Sequence, residues 1–210
     1  MKEKQSQNRS KVFLLFAFCF LLGAFPISSY GQGTPSPKAE MQYILDKLVA
    51  IVTEHSEEGE SKVRQDKMRA VIEPRFDFEE MSKRSLGVKW KSISDAERTE
   101  FVDLFSELLA RTYLSRIEKV KKDMVEIKNE TIRQPRALVK TIVTYEGDSF
   151  PLDYKLLYRD GVWRVYDVII ENIGLISNYR SEFAGVIRKD KFSGLLQKLR
   201  EKNAAKEKAA

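Results

Sequence analysis

Apolar positions recur along the chain with two periods, and the switch between them divides the sequence. From Ala39, the residues Met41, Ile44, Leu45, Leu48, Ile51 and Val52 fall at helical spacing. A second short helix is predicted over about Ser61–Ile72. It ends before Pro74, because proline lacks the N–H that a helix interior needs. Asp77 can cap a third helix, which stops at Gly87. Ser94 and Glu97 stand in capping-box spacing and open the longest helix. Its apolar stripe is Phe101, Leu104, Phe105, Leu108, Leu109, Tyr113, Ile117 and Val120, with charges opposite.

After Asp123 the period becomes two. Residues 125–133, 136–146, 149–159 and 161–171 read as four strands. Gly147-Asp148 and Asp160-Gly161 read as two-residue hairpin loops, and Gln134-Pro135 as a looser break. Leu175, Ile176, Tyr179, Phe183, Val186 and Ile187 then repeat as a helix, and a further short helix carries Leu195, Leu196 and Leu199. The Ala-, Lys- and Glu-rich end predicts a disordered basic tail over 201–210.

Loop length sets which residues oppose one another. With Asp160-Gly161 as a loop, Tyr158 opposes Trp163, Leu156 opposes Val165, Tyr154 opposes Asp167 and Leu152 opposes Ile169. With Gly147-Asp148 as a loop, Tyr145 opposes Phe150, Val143 opposes Leu152, Thr141 opposes Tyr154 and Val139 opposes Leu156. Both registers gather these residues on one apolar face, where Asp167 is the one charge. The first strand alternates poorly, so its register stays open. Helices with apolar stripes must cover the apolar face. The pattern is compatible with a close-packed core or with a cavity for an apolar ligand beneath the helices.

Composition adds an export segment. Lys2, Lys4, Arg9 and Lys11 precede the apolar run 12–27, and Ser28, Ser29 and Gly31 follow it. This is the pattern of a secretory signal, and residues 1–31 are predicted to be cleaved. The run is shorter than the ~20 residues that span a bilayer and contains Pro26. Residues 1–31 hold four basic residues and one acidic residue, so the formal charge of +6 falls to +3 on cleavage. Cys19, the only cysteine, leaves with the leader, and no disulfide can support the exported chain.

Few groups suggest chemistry. Asp167, with Tyr154 as its predicted neighbour, is a candidate acid or base on an apolar face, yet no second such group accompanies it. His55, the only histidine, stands beside Ser56, Glu57 and Glu58 at a solvated helix end, which speaks against a metal site or a triad. Ser177 lies in no nucleophile elbow, and no glycine-rich phosphate loop is present. Lys119, Lys121 and Lys122 form one basic cluster, and Lys198, Arg200 and Lys202 another. Export and mild net charge argue against nucleic acid as their target; they read first as solvated helix faces, with anionic headgroups or an acidic partner face as the alternative.

Two segments together carry a family resemblance. They are Asp160-Gly161-Val162-Trp163-Arg164-Val165-Tyr166-Asp167-Val168 and Gly174-Leu175-Ile176-Ser177-Asn178-Tyr179-Arg180-Ser181-Glu182-Phe183. Both resemble the MlaC family of periplasmic phospholipid-binding proteins, also called toluene-tolerance proteins. Phe76-Asp77-Phe78 with Met81, Leu86-Gly87, and the run from Glu100-Phe101 through Leu109 to Tyr113 are similar too. The resemblance implies an α+β fold, in which a four-stranded curved antiparallel sheet is covered on its apolar face by helices. This NTF2-like cone would hold an apolar pocket. A flexible entry over 32–38 would lead into a single domain over 39–200.

The implied function is a periplasmic phospholipid carrier moving lipid between outer and inner membranes and maintaining outer-membrane lipid asymmetry. It would be no enzyme and would need no cofactor or metal. A related branch associated with hopanoid synthesis makes another lipid the alternative cargo. The implied partners are phospholipid, an outer-membrane lipoprotein–porin complex and an inner-membrane MCE-domain protein of an ABC transporter. Contact with those complexes would be transient, and the carrier a monomer. The expected acyl-tail pocket comprises Val139, Thr141, Val143, Tyr145, Leu152, Tyr154, Leu156, Tyr158, Trp163, Val165 and Ile169 on the sheet, with Phe101, Phe105, Leu108 and Tyr113 above it.

Overall fold

Local capping chemistry starts the helices where the sequence places them. The computed structural model describes residues 36–57 and 59–207. The expected leader and most of the entry segment lie outside the described residues. Helix α1 (Pro37–Glu54) opens with Ser36, whose hydroxyl accepts from the Ala39 N–H, and with Pro37 in its first turn. Helix α2 spans Ser61–Ile72, and a 3₁₀ turn (Glu73–Arg75) contains Pro74. Asp77 caps α3 (Phe78–Leu86) by accepting from the Glu80 N–H, and Gly87 ends it at φ +57°. A 3₁₀ segment (Gly87–Ser92) leads to α4 (Asp95–Ile117), which begins at the expected Ser94–Glu97 capping box. No helix among the described residues is long and apolar enough to cross a membrane.

Five antiparallel strands follow in simple sequence order: β1 (Val125–Arg133), β2 (Arg136–Tyr145), β3 (Asp148–Arg159), β4 (Val162–Ile170) and β5 (Ile173–Gly174). The sheet is curved and unclosed. The sequence pattern predicts four strands. The fifth is a two-residue return made possible by positive φ at Glu171 and Asn172, too short to alternate.

Two registers differ from expectation. The β2–β3 loop is Glu146-Gly147, with φ +52° and +91°, rather than Gly147-Asp148. Val143 therefore opposes Phe150, and Val139 opposes Tyr154. This slip is two residues, so every side chain keeps its face. At Asp160-Gly161 both φ values are positive as a type I′ loop requires, and Tyr158–Trp163 and Leu156–Val165 pair as expected.

Beyond Leu156 a bulge adds one residue to β4, so Lys155 opposes Asp167 and Tyr154 opposes Val168. Asp167 and Ile169 are thus turned off the face that Val165 carries, and Val168 and Ile170 take their places. A second irregularity, between Ile127 and Asn129, accounts for the poor alternation of β1.

Helix α5 (Leu175–Glu207) packs on α3 and α4 and is broken at Lys191, where φ is +61°; the two helices read from the sequence meet there. It continues past Arg200, where a disordered tail was expected. Asn203 is buried and its side-chain amide donates to the Leu104 carbonyl at 3.0 Å.

Apolar burial falls into two clusters. One joins α3, α4 and α5 through Met81 and Leu86, Phe101 and Phe105, and Tyr179 and Phe183, and neighbouring rings among these lie 5.0–5.7 Å apart. The other joins α1, α2 and α4 to the sheet through Met41, Ile44, Leu48, Met68, Leu114, Val139, Leu156, Trp163 and Val165. Each such fully buried side chain contributes ~1.5–3 kcal/mol against exposure.

Candidate ligand cavity

Beside the second cluster the packing opens into a cavity of about 870 Å³. Its floor is the outer half of the sheet's apolar face: Ile127, Thr141, Val143, Tyr145, Phe150, Leu152, Tyr154, Val168 and Ile170. Met41, Ile44, Leu45 and Leu48 of α1 form one wall. Val102, Leu109, Ala110, Tyr113, Leu114 and Ile117 of α4 form another. Ile72, Phe76, Phe78, Met81, Val120, Met124, Val125 and Leu175 complete the apolar lining.

Of the expected pocket residues, Thr141, Val143, Tyr145, Leu152, Tyr154 and Tyr113 line this cavity. Val139, Leu156, Trp163 and Val165 are closely packed instead, as are Phe101, Phe105 and Leu108, all with 4% exposure or less. Tyr158 lies against Trp163 at a tilt, with ring centres 5.0 Å apart. Ile169 faces the other way because of the β4 bulge. The physical reason for the division lies at β4: Phe76 bridges to Val165 and the Asp77 N–H donates to the Val165 carbonyl at 2.9 Å, bringing the chain down onto that half of the sheet. Sequence reasoning missed the α1 wall; its stripe was visible, but not what it faces.

Several polar groups of the lining are held by hydrogen bonds. Thr141 is 1% exposed, and its hydroxyl donates to the Leu152 carbonyl. Burial pushes the Tyr154 phenol up to about 12, so it stays neutral across ordinary pH. Arg69 donates to Glu107 at 2.7 Å and lies 3.5 Å from Glu73, tying α2 to α4 over the cavity. Those hydrogen bonds raise the Arg69 pKa. Burial alone would raise Glu107, but hydrogen bonds from Arg69 and Arg111 outweigh it and hold the carboxyl below its usual range. The α1 wall is fixed at its start by Glu130, which accepts from the Lys38 N–H at 2.7 Å and from the Ser36 hydroxyl at 2.9 Å. Arg75 holds Glu40 at 2.9 Å.

Asp167 is not in the lining. Its carboxylate accepts from the Ile176 N–H at 3.1 Å and from Lys155 Nζ at 3.0 Å, joining β3, β4 and the start of α5. The expectation of a lone charge on the apolar face is corrected accordingly. No cluster of side chains able to hold a metal ion occurs among the described residues.

Fold and cavity together define an α+β protein built around a largely apolar container. The pattern described as MlaC protein matches residues 42–201, and the chain belongs to that family. One relative, 23% identical over 198 residues covering 87% of this chain and 89% of its own, is the intermembrane phospholipid transport system binding protein MlaC of Haemophilus influenzae. A solved structure, the phospholipid-binding protein from Ralstonia solanacearum in complex with a phospholipid, superposes with a TM-score of 0.73 at 26% identity. The match covers 82% of this chain and 99% of that one.

Proposed function

We propose that this protein is a periplasmic phospholipid carrier whose cavity encloses acyl tails during transfer between the two envelope membranes. The observation that carries this reading is the apolar cavity of about 870 Å³ between α1, α4 and the sheet. The phospholipid-binding name of the Ralstonia solanacearum structure supports the same cargo.

Burying a methylene is worth ~0.8 kcal/mol, so two long tails gain on the order of 20 kcal/mol relative to water. Relative to a bilayer, where the tails are already dry, the gain nearly vanishes. Loading and unloading are therefore close to balance, and direction is set by the partners at each membrane. Those partners are an outer-membrane lipoprotein–porin complex and an inner-membrane MCE-domain protein of an ABC transporter. The carrier acts as a monomer after removal of its leader, and its work preserves outer-membrane lipid asymmetry. Binding alone accomplishes this; the cycle contains no bond-making step.

Protein purified from cells and extracted with solvent is expected to yield about one phospholipid per chain by mass spectrometry, the occupancy of a single enclosed site. Delipidated protein should then take up labelled phospholipid from vesicles. A chain that emerges without lipid and takes up none would end this reading.

A further inference from the structure

The exposed residues of the cavity lining carry charge in two separate places. Glu73 and Asp103 stand at one, Arg116 and Lys119 at the other. Asp103 and Arg116 lie on α4 about 20 Å apart along its axis, at ~1.5 Å of rise per residue. Near Asp103, the charge of Arg69 is already matched by Glu107 and Glu73. Arg116 and Lys119 make no ion pair with a carboxylate of the described residues. Glu118, between them in sequence, is turned away onto Arg64 at 3.5 Å and is only 15% exposed. The Arg116 guanidinium lies 5.8 Å from the ring centre of Tyr113, itself a lining residue, which holds the charge along the wall.

An amphiphile whose tails fill the apolar interior must leave its polar head where the lining meets water, because burying an unpaired charge is prohibitive. A phosphate would meet repulsion beside Asp103. At the far end of α4 the helix terminus contributes about half a negative charge, but two full positive charges stand over it and reverse the local sign. We propose that Arg116 and Lys119 form the site for the phosphate of the cargo lipid and bias the cavity toward headgroups of net negative charge. Zwitterionic heads present the same phosphate, but their ammonium is repelled by the same pair. This inference rests on the carrier reading and adds a headgroup preference to it.

The test is a loading competition. Delipidated protein is equilibrated with vesicles of equal phosphatidylglycerol and phosphatidylethanolamine content, then re-isolated, and the bound lipids are extracted and counted by mass spectrometry. The wild type is expected to enrich phosphatidylglycerol about threefold to fivefold, the scale of two partly screened charge contacts. The double variant Arg116→Gln/Lys119→Gln should hold both lipids less tightly and load them with no enrichment. Arg116→Lys/Lys119→Arg should keep the preference. Lys83→Gln/Lys91→Gln, an equal charge change at exposed positions outside the lining, should keep it too.

If the double glutamine variant fails to fold by circular dichroism, Lys119→Gln alone is read instead. Lys119 lies past the last residue of α4, and about half the enrichment should go with it. Calorimetric titration of delipidated protein with inorganic phosphate is run in parallel. Weak binding there beside lipid enrichment assigns the phosphate to the lipid; tight binding without enrichment overturns the proposal. Equal loading of both lipids by the wild type, or equal loss of preference in the Lys83/Lys91 control, also overturns it while leaving the carrier reading intact. No loading of either lipid would remove both.

Discussion

Asp167 shows how a buried carboxylate can act as a fastener. It is 7% exposed and supplies the acceptor that the first turn of α5 needs, while its charge is met by Lys155. Gly174 keeps the approach open, since a Cβ there would stand 3.4 Å from Asp167 Oδ2 and 3.1 Å from Ser177 Oγ. Asp167→Ala is expected to lower stability by ~1–3 kcal/mol in urea unfolding, the range for losing a helix-end acceptor and leaving its donors bare. Asp167→Asn keeps an acceptor and should lose less. Solvent extraction should find normal lipid in both variants, and a folded Asp167→Asn stripped of lipid would put this residue back in the cavity. A second pair of residues separates packing from lining. Leu156→Ala should destabilise by ~2–5 kcal/mol through the void it leaves in a close-packed site. Val143→Trp projects into existing space; it should reduce bound lipid while shifting the unfolding midpoint little.

At the scale of elements, bulges and helix seats decide what the alternating pattern could not. Thr141, Val143, Leu152 and Tyr154 were legible as one apolar face because the β2–β3 slip is two residues, and a period of two is blind to it. Asp167 and Ile169 were misread for the complementary reason: one extra residue in β4 reverses every side chain after it, and no turn residue announces it. Core and cavity were indistinguishable in sequence. Val139 and Val143 look alike, but one is 0% exposed under the packed helices while the other lines open space. What separates them is where α1 and the Phe76–Phe78 segment come to rest, a matter of long-range contact. For α1 that seat depends on Glu130. Glu130→Ala should cost ~1 kcal/mol and speed hydrogen exchange of amides in the first turns of α1, as read by mass spectrometry.

Across the whole molecule, stability depends on charge and on space. The Glu107 carboxyl titrates below its ordinary range in the folded chain, so the unfolded chain binds the proton more readily. Its contribution is therefore fully present above the ordinary carboxylate pKa, about 4.3, and is lost as pH falls through the depressed value. Wild type and Glu107→Gln should differ by ~1 kcal/mol in urea at neutral pH, given that the pair is partly solvated, and converge in acid. A difference that grew on acidification would contradict this.

Space acts through surface. The walls of a cavity of about 870 Å³ are largely apolar and meet whatever fills it. Tails that cover those walls remove them from water, and burial of apolar surface lowers the heat capacity. Titration of delipidated protein with a short-chain, monomeric phospholipid should therefore release heat that grows as temperature rises. A binding heat independent of temperature would mean that the tails lie elsewhere, so cargo registers as a change in heat capacity.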